Sequence, residues 1–145
     1  MTTSGAGGQP LHILLVEDDD VDVMAVRRAF HQQRIGNPIH VAADGEEALA
    51  LLRVEGADAL PRPVVLMVDL NMPRMNGLEL IRTIRADEAL KKLPVYVLTT
   101  SGKVSHREAA DALGVVGYGI KADVARDFEQ VLRKLGLGVR LVSFS

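Results

Sequence analysis

The sequence predicts an α/β fold in which a doubly wound sheet of five parallel strands carries helices on both faces. Short runs rich in Val, Ile and Leu alternate with segments whose apolar residues recur every three or four positions. This alternation is typical of parallel strands joined by crossover helices. The predicted strands span residues 12–16, 39–43, 64–68, 95–98 and 115–120.

Helical spacing fills the segments between these strands. Asp44 with Glu47, and Ser105 with Glu108, have the acceptor and acid spacing of a capping box, which indicates two helix starts. The apolar residues that define the other helical faces are Val23, Val26 and Phe30, then Leu78, Ile81 and Ile84, then Val124, Phe128, Val131 and Leu135.

Length and composition indicate one domain. A chain of 145 residues that is 48% hydrophobic can bury one sizeable core and is too short for two typical domains. We expect residues 1–10 to be a flexible tail, residues 11–135 to be the domain, and residues 136–145 to be a C-terminal extension. Leu137, Val139 and Leu141 alternate with other residues in this extension, which predicts an extended segment.

Charge and residue content exclude several classes of protein. The 17 Lys and Arg residues do not outnumber the 19 Asp and Glu residues, so we expect no nucleic acid partner. No apolar run approaches the length of a membrane span, and the first residues lack the pattern of a signal peptide. With no cysteine in the chain, the simplest prediction is a cytoplasmic protein without disulfides.

Residues suited to phosphoryl chemistry follow four of the predicted strands. Glu17 and Asp18 follow the first strand, Asp69 the third, Thr99 the fourth and Lys121 the last. Because the carboxyl ends of parallel strands converge on one crevice, we expect these side chains to meet there.

The acids and the lysine in this set predict a phosphoryl acceptor that depends on Mg²⁺. Carboxylates that lie close together repel one another unless a cation neutralises them, and their oxygens suit Mg²⁺. Asp69, at the end of the most continuously apolar strand, is the predicted nucleophile. Thr99 and Lys121 would hold the phosphoryl oxygens by a hydroxyl group and a positive charge. The other acids near Asp18, including Asp22, suit the solvated start of a helix.

The stretches LLVEDD, VDLNMPRMNGLEL, LPVYVLTTS and GYGIKA resemble the receiver domains of two-component response regulators. The resemblance implies a flavodoxin-like strand order, 2-1-3-4-5, and an aspartate phosphorylated by a sensor histidine kinase, here Asp69. It implies that Glu17, Asp18 and the backbone carbonyl of Asn71 join Asp69 as metal ligands. It further implies that Thr99 and Tyr118 form a conformational switch, and that Lys121 contacts the phosphoryl group. Such a protein signals to a downstream target and is not an enzyme with turnover.

The stretches EGADALPRP and DEALKKLPVYVLTTS are similar to the small regulators that accompany phytochrome-type sensor kinases. This likeness implies a phytochrome-type kinase partner and a homodimer to which the extension and the last helix contribute. Ala122 stands where receivers usually have proline, so we expect a trans bond after Lys121. Gly119, inside the last strand, is expected to loosen the packing beside Tyr118.

Two other functions fit some of the same residues. An aspartate-nucleophile phosphohydrolase would also use Asp, Thr, Lys and Mg²⁺, but it would carry its nucleophile on the first strand rather than at Asp69. A phosphorylation-independent interaction module could use the receiver fold as a scaffold, although every expected acceptor residue is present. Fold alone does not separate these alternatives.

Overall fold

The computed structural model describes residues 2–3, 9–70, 76–100, 106–135 and 139–143. In this part of the chain, five strands form one parallel sheet and four shorter strands lie near the chain ends. The strands are β1 (Thr2–Thr3), β2 (Gln9–Pro10), β3 (His12–Val16), β4 (Ile39–Ala42), β5 (Val64–Asp69), β6 (Val95–Thr99), β7 (Gly117–Ile120), β8 (Val139–Arg140) and β9 (Val142–Ser143).

The main sheet has the order β4-β3-β5-β6-β7, and each neighbouring pair is parallel. Numbered by the five predicted strands, this is the order 2-1-3-4-5, so the predicted fold class and strand order are confirmed. β5 lies in the middle of the sheet, and all its residues before Asp69 are buried. Burial on both faces explains why the sequence of this strand is continuously apolar.

Helices cover both faces of the sheet. Alternate residues of β3 point to opposite faces, and each set belongs to a separate hydrophobic core. One core is shared with the second and third helices and the other with the first and fifth, where Phe30 and Phe128 meet edge to face with ring centroids 5.1 Å apart. The helices are α1 (Asp20–Gln32), α2 (Gly45–Arg53), α3 (Gly77–Ala86), α4 (Arg107–Ala112) and α5 (Phe128–Leu135). Within the described ranges, no helix is long and apolar enough to cross a membrane.

The helix starts agree only in part with the predicted ones. The side chain of Asp44 accepts a hydrogen bond from the backbone N–H of Glu47 at 2.8 Å, which confirms this cap. Ser105 lies outside the described residues, and α4 begins directly after His106.

The last helix begins at Phe128 rather than near Val124. Residues 121–127 form turns, although Val124 is only 1% exposed, so its apolar character reflects core packing rather than helix. Of the peptide bonds in the described ranges, only the one before Pro63 is cis. The bond between Lys121 and Ala122 is therefore trans, as predicted.

The described parts of the two chain ends pair with each other. β1 pairs with β9 and β2 with β8. Residues 1 and 4–8 lie outside the described ranges, and the flexible tail over residues 1–10 stays a prediction. The extended conformation predicted for the C-terminal extension is present in β8 and β9. The buried side chain of Asn37 links this segment to Leu11, the residue before β3. Nδ2 donates to the carbonyl oxygens of Leu11 and Arg140 at 2.9 and 3.0 Å, and Oδ1 accepts from the N–H of Val142 at 2.7 Å.

Candidate functional site

Four of the predicted site residues lie at the carboxyl ends of adjacent strands. Glu17 directly follows β3, Asp69 ends β5, Thr99 ends β6 and Lys121 directly follows β7. The backbone N–H of Lys121 donates to the carbonyl oxygen of Thr99 at 2.8 Å, which fixes the end of β7 against β6. The predicted convergence of these positions on one edge of the sheet is thus present in the structure.

The ammonium group of Lys121 lies at the centre of this edge. Its Nζ donates to Asp69 Oδ2 at 2.9 Å, to Asp22 Oδ2 at 2.8 Å, and to Glu17 Oε1. An ammonium group has three hydrogens, so three carboxylates saturate it. We call these four residues the Lys121 cluster. The side chain of Lys121 is 11% exposed, and this shielding strengthens the ion pairs relative to open surface pairs.

Burial controls the protonation of Glu17. It disfavours the charged carboxylate and raises the pKa of Glu17 to about 7, although the hydrogen bond from Lys121 acts in the opposite direction. The second oxygen, Oε2, accepts from the backbone N–H of Asp18 at 3.1 Å. Burial alone would lower the pKa of Lys121, but the hydrogen bonds to Asp22, Glu17 and Asp69 raise it. Lys121 therefore stays charged at neutral pH, while Glu17 is poised to change its charge.

Asp22 belongs to this site, although the sequence did not assign it there. It is the third residue of α1, and its hydrogen bond with Lys121, followed by that with Glu17, lowers the pKa of Asp22. The only sequence signal was its place in the acidic run after β3. That signal also fits a solvated helix start, and sequence spacing does not tell which side of the helix meets the end of β7.

The predicted metal ligands are described only in part. Asp18 is exposed beside Glu17, and Asn71 lies outside the described residues. In the described ranges, no three acidic or histidine side chains are arranged to enclose a metal ion. Glu17 and Asp69 are instead bound to Lys121. The predicted donors nevertheless suit a hard cation, because Glu17, Asp18 and Asp69 offer carboxylate oxygens and Lys121 supplies only one positive charge beside them.

Glycine at the start of α3 allows this helix to approach Asp69 closely. A Cβ atom on Gly77 would lie 2.5 Å from the carbonyl oxygen of Asp69 and 2.7 Å from Cα of Leu70. Both are backbone atoms, which cannot move aside as a flexible side chain could. The sequence predicts a helical face that starts at Leu78, and the structure adds the packing reason why the residue before it has no side chain.

Tyr118, the predicted switch aromatic, is held by α4. Its hydroxyl group donates to Asp111 Oδ1, and the guanidinium of Arg107 lies 4.4 Å from its ring centroid. Partial burial, followed by the hydrogen bond to Asp111, raises the pKa of Tyr118 to about 12. Thr99 and Tyr118 line the same cavity, which has a volume of about 530 Å³ between β7 and α4. The two predicted switch residues therefore border one space.

Gly119 makes room for an aromatic ring instead of loosening the strand. A Cβ atom at this position would lie 2.7 Å from the hydroxyl oxygen of Tyr96 and 2.8 Å from its Cε1. Tyr96 is 4% exposed, and its hydroxyl group donates to the carbonyl oxygen of Tyr118 at 2.9 Å. The expectation of loose packing beside Tyr118 was therefore wrong, because the ring of Tyr96 occupies the space that the glycine leaves.

Comparison with known proteins shows what the chain is similar to. Residues 13–134 match the family model of the response regulator receiver domain. Response regulator Rcp1 from Synechocystis sp. is 32% identical over 131 residues, which cover 90% of this chain and 89% of that protein. The structure of the Mn²⁺-bound form of Rcp1 aligns with a TM-score of 0.65 at 31% identity and covers 88% of this chain and 91% of that chain.

Two further solved structures belong to phytochrome-associated regulators. Bacteriophytochrome response regulator RtBRR aligns with a TM-score of 0.73 at 33% identity, covering 89% of this chain and 80% of that chain. The phosphorylated cyanobacterial phytochrome response regulator RcpA aligns with a TM-score of 0.65 at 30% identity, covering 90% and 91%. These matches confirm the resemblance to receiver domains that the sequence motifs indicate, including the narrower resemblance to phytochrome-associated regulators.

Proposed function

This chain belongs to the response regulator receiver domain family, and we propose that it is a stand-alone response regulator that accepts a phosphoryl group on Asp69 from a sensor histidine kinase. The observation that carries the proposal is the Lys121 ammonium, held 2.9 Å from Asp69 Oδ2 at the carboxyl edge of the sheet. A phosphoryl group on Asp69 would meet this cation beside Thr99, at the end of the neighbouring strand.

In the proposed reaction, a carboxylate oxygen of Asp69 attacks the phosphorus of a phosphohistidine. An O–P bond forms as the N–P bond breaks, and the imidazole leaves with the electron pair and takes up a proton. A carboxylate needs no general base for this attack, so catalysis consists mainly of positioning and charge neutralisation. Hydrolysis of the acyl phosphate would later return Asp69 to its unphosphorylated form. We propose no turnover of other substrates.

We propose Mg²⁺ as the cofactor. Glu17, Asp18 and Asp69 would supply carboxylate oxygens, and by family resemblance Asn71 would supply its backbone carbonyl. When bound, the ion neutralises part of the charge that the phosphoryl group adds to these carboxylates. The existence of a Mn²⁺-bound form of the relative Rcp1 supports a divalent metal site in this chain.

The proposed signal is a change in the surface formed by β7 and α4. Phosphorylation can shift the conformational equilibrium only through contacts that are stronger in the active state, here from Thr99 and Lys121 to the phosphoryl oxygens. Movement of Thr99 would alter the cavity that it shares with Tyr118. Tyr118 would then exchange its contacts with Arg107 and Asp111 for others, and a downstream protein would read the changed surface.

The likeness to RtBRR and RcpA supports a phytochrome-type kinase as the partner. We further propose a cytoplasmic homodimer with a two-fold interface that includes α5 and the C-terminal extension. Light scattering on the full chain and on a version ending at Leu135 tests this part. A monomeric mass for both would contradict the dimer, and a dimeric mass for both would exclude a role of the extension.

The acceptor is tested by incubation with Mg²⁺ and acetyl phosphate, followed by mass spectrometry. We expect one added phosphoryl group on Asp69 and none on the Asp69→Asn variant, whose amide keeps the shape but lacks the nucleophilic charge. Asp58→Asn, an exposed substitution of the same kind, is the matched control and should be labelled like the native chain.

Two outcomes would contradict the proposal. Labelling of Asp69→Asn at the native level would remove Asp69 as the acceptor. Steady hydrolysis of a phosphomonoester by the native chain, without accumulation of label, would favour the phosphohydrolase instead.

A further inference from the structure

The three carboxylates of the Lys121 cluster differ in what the proposed reaction requires of them. Asp69 is the group that reacts, and Glu17 is a proposed metal ligand. Asp22 has neither role, yet it accepts a hydrogen bond from Lys121 Nζ at 2.8 Å, as close as that to Asp69 at 2.9 Å. It is the member of the cluster whose oxygens stay available to Lys121 while the other two carboxylates engage new partners.

The backbone that carries Asp22 is firmly held. The N-cap residue Asp19 accepts from the N–H of Val21 at 2.8 Å through its side chain and from the N–H of Val23 at 3.0 Å through its carbonyl oxygen. Further along α1, Val26 is 1% and Phe30 2% exposed, so the helix is anchored in the core. Asp22 thus presents its carboxylate from a fixed position.

Lys121, by contrast, needs an anchor at its tip. It begins a series of turns, and the bond to Ala122 lacks the restriction that a proline would impose. Its backbone is fixed by the hydrogen bond to Thr99, but four rotatable side-chain bonds separate that point from Nζ. A carboxylate on a rigid helix can restrain such a tip where the loop backbone does not.

From this geometry we infer that Asp22 is a positioning residue, which holds the ammonium of Lys121 beside Asp69 throughout phosphoryl transfer. The inference rests on the proposed function of Asp69. An acid in the first turn of a helix also stabilises the helix through its dipole, but Asp20 offers the same effect in the same turn. Lys121 donates to Glu17, Asp22 and Asp69 and not to Asp20. Asp20→Asn is therefore a matched control.

The first test is NMR on metal-free protein with ¹⁵N-labelled lysine. In the native chain, the ammonium hydrogens of Lys121 should exchange slowly with water, because all three are donated to carboxylates. Asp22→Ala removes one acceptor and Asp22→Asn replaces it with a neutral one, so both variants should speed this exchange several-fold. Asp20→Asn should leave it unchanged. This measurement does not depend on phosphoryl transfer.

The second test is the rate of labelling by acetyl phosphate with Mg²⁺. We expect both Asp22 variants to be labelled about fivefold more slowly, equivalent to about 1 kcal/mol and the upper range for a partly exposed ion pair. Asp20→Asn should keep the native rate. Far-UV circular dichroism establishes that every variant is folded.

The results separate failure of the inference from failure of the proposed function. Unchanged Lys121 exchange in Asp22→Ala, or native labelling rates in both Asp22 variants, would overturn the inference. If the native chain itself accepts no phosphoryl group, the proposed function fails, while the exchange measurement still decides whether Asp22 restrains Lys121.

Discussion

Lys121 and Asn37 each bind three partners, at opposite ends of the parallel sheet. At the carboxyl end, the charged tip of Lys121 is shared by three side-chain carboxylates. At the amino end, the neutral amide of Asn37 binds backbone groups of Leu11, Arg140 and Val142. We call Asn37 and these three residues the Asn37 cluster.

The difference lies in what each group can exchange. Both donors and the acceptor of the Asn37 amide are used, and Asn37 is only 4% exposed, so water cannot readily replace a lost bond. The ammonium of Lys121 can exchange one carboxylate for another oxygen, such as that of a phosphoryl group, without losing its charge. A neutral amide bound to backbone groups is therefore suited to stabilising the fold. A cation shared by carboxylates is suited to a site that binds and releases a charged group.

The largest expected effect comes from breaking the Asn37 cluster. Asn37→Leu keeps a side chain of similar length and removes all three hydrogen bonds. At about 1 kcal/mol for each bond, we expect the free energy of unfolding to fall by about 3 kcal/mol. Urea denaturation gives this value, and labelling by acetyl phosphate should proceed at the native rate.

This result would show that Asn37 stabilises the fold and takes no part in phosphoryl transfer. Nearly native stability of Asn37→Leu would contradict the structural role of Asn37, and a stable variant that accepted no phosphoryl group would contradict its separation from the reaction. As a matched control, Asn76→Leu removes the exposed cap of α3 and should cost less, because water can replace its hydrogen bond.

A smaller effect is expected at Lys121. Its ammonium occupies oxygens of Glu17 and Asp69, both proposed metal ligands, and repels a second cation. Lys121→Ala should therefore bind Mg²⁺ more tightly, by roughly tenfold or about 1.4 kcal/mol. Isothermal titration calorimetry measures this affinity.

Lys91→Ala is the matched control. In the described part of the chain, the ion pair of Lys91 is with Glu88, an exposed acid. Its affinity for Mg²⁺ should equal that of the native chain. Weaker binding by Lys121→Ala would mean that the lysine arranges the carboxylates for the metal rather than competing with it.

The smallest effect concerns two titratable residues, His12 on β3 and His40 on β4. Both strands begin next to the Asn37 cluster. His12 Nδ1 and His40 Nε2 are 3.1 Å apart, and their rings are stacked. Burial, and then the charge of His40, lowers the pKa of His12 below its ordinary value of 6.5. As the pH falls below about 6.5, His12 in the unfolded chain therefore takes up a proton that it resists in the folded chain, and the contribution of His12 to stability decreases.

Urea denaturation at about pH 5.5 and about pH 8 tests this sign. The raised pKa of Glu17 acts in the opposite direction, but it does so equally in both proteins, so His12→Gln is compared with the native chain. Between about pH 8 and about pH 5.5, His12→Gln should lose less stability, or gain more, than the native chain does. His106→Asn, an exposed change, should show the same pH dependence as the native chain. The same pH dependence in His12→Gln as in the native chain would show that His12 makes no contribution.

Much of the fold could be predicted from the sequence, because strands and helix caps are indicated by residues close together in the chain. The apolar strands, the acids and the lysine at strand ends, and the helix cap at Asp44 all follow from neighbouring residues. The order of the strands came from family resemblance rather than from such patterns. The site positions followed from one topological rule about parallel strands.

What the sequence could not show depends on contacts between distant segments. Asp22 looks like any acid at a helix start until α1 and β7 are placed together, 99 residues apart in the chain. Asn37 stands between glycine and proline, as a turn residue would, and its partner Val142 is 105 residues away. Gly77 and Gly119 likewise depend on atoms that only the folded chain brings near.

Pairing of β1 with β9 and of β2 with β8 brings the two ends of the described chain close together. Gln9 lies opposite Val139 and Thr2 opposite Ser143, close to the start of β3 and away from the edge that carries Asp69. A short peptide could therefore join the two ends, and the chain could be opened elsewhere to give a circularly permuted protein. Reporter domains or fluorophores attached at these ends would sit beside each other and leave the approach to Asp69 open.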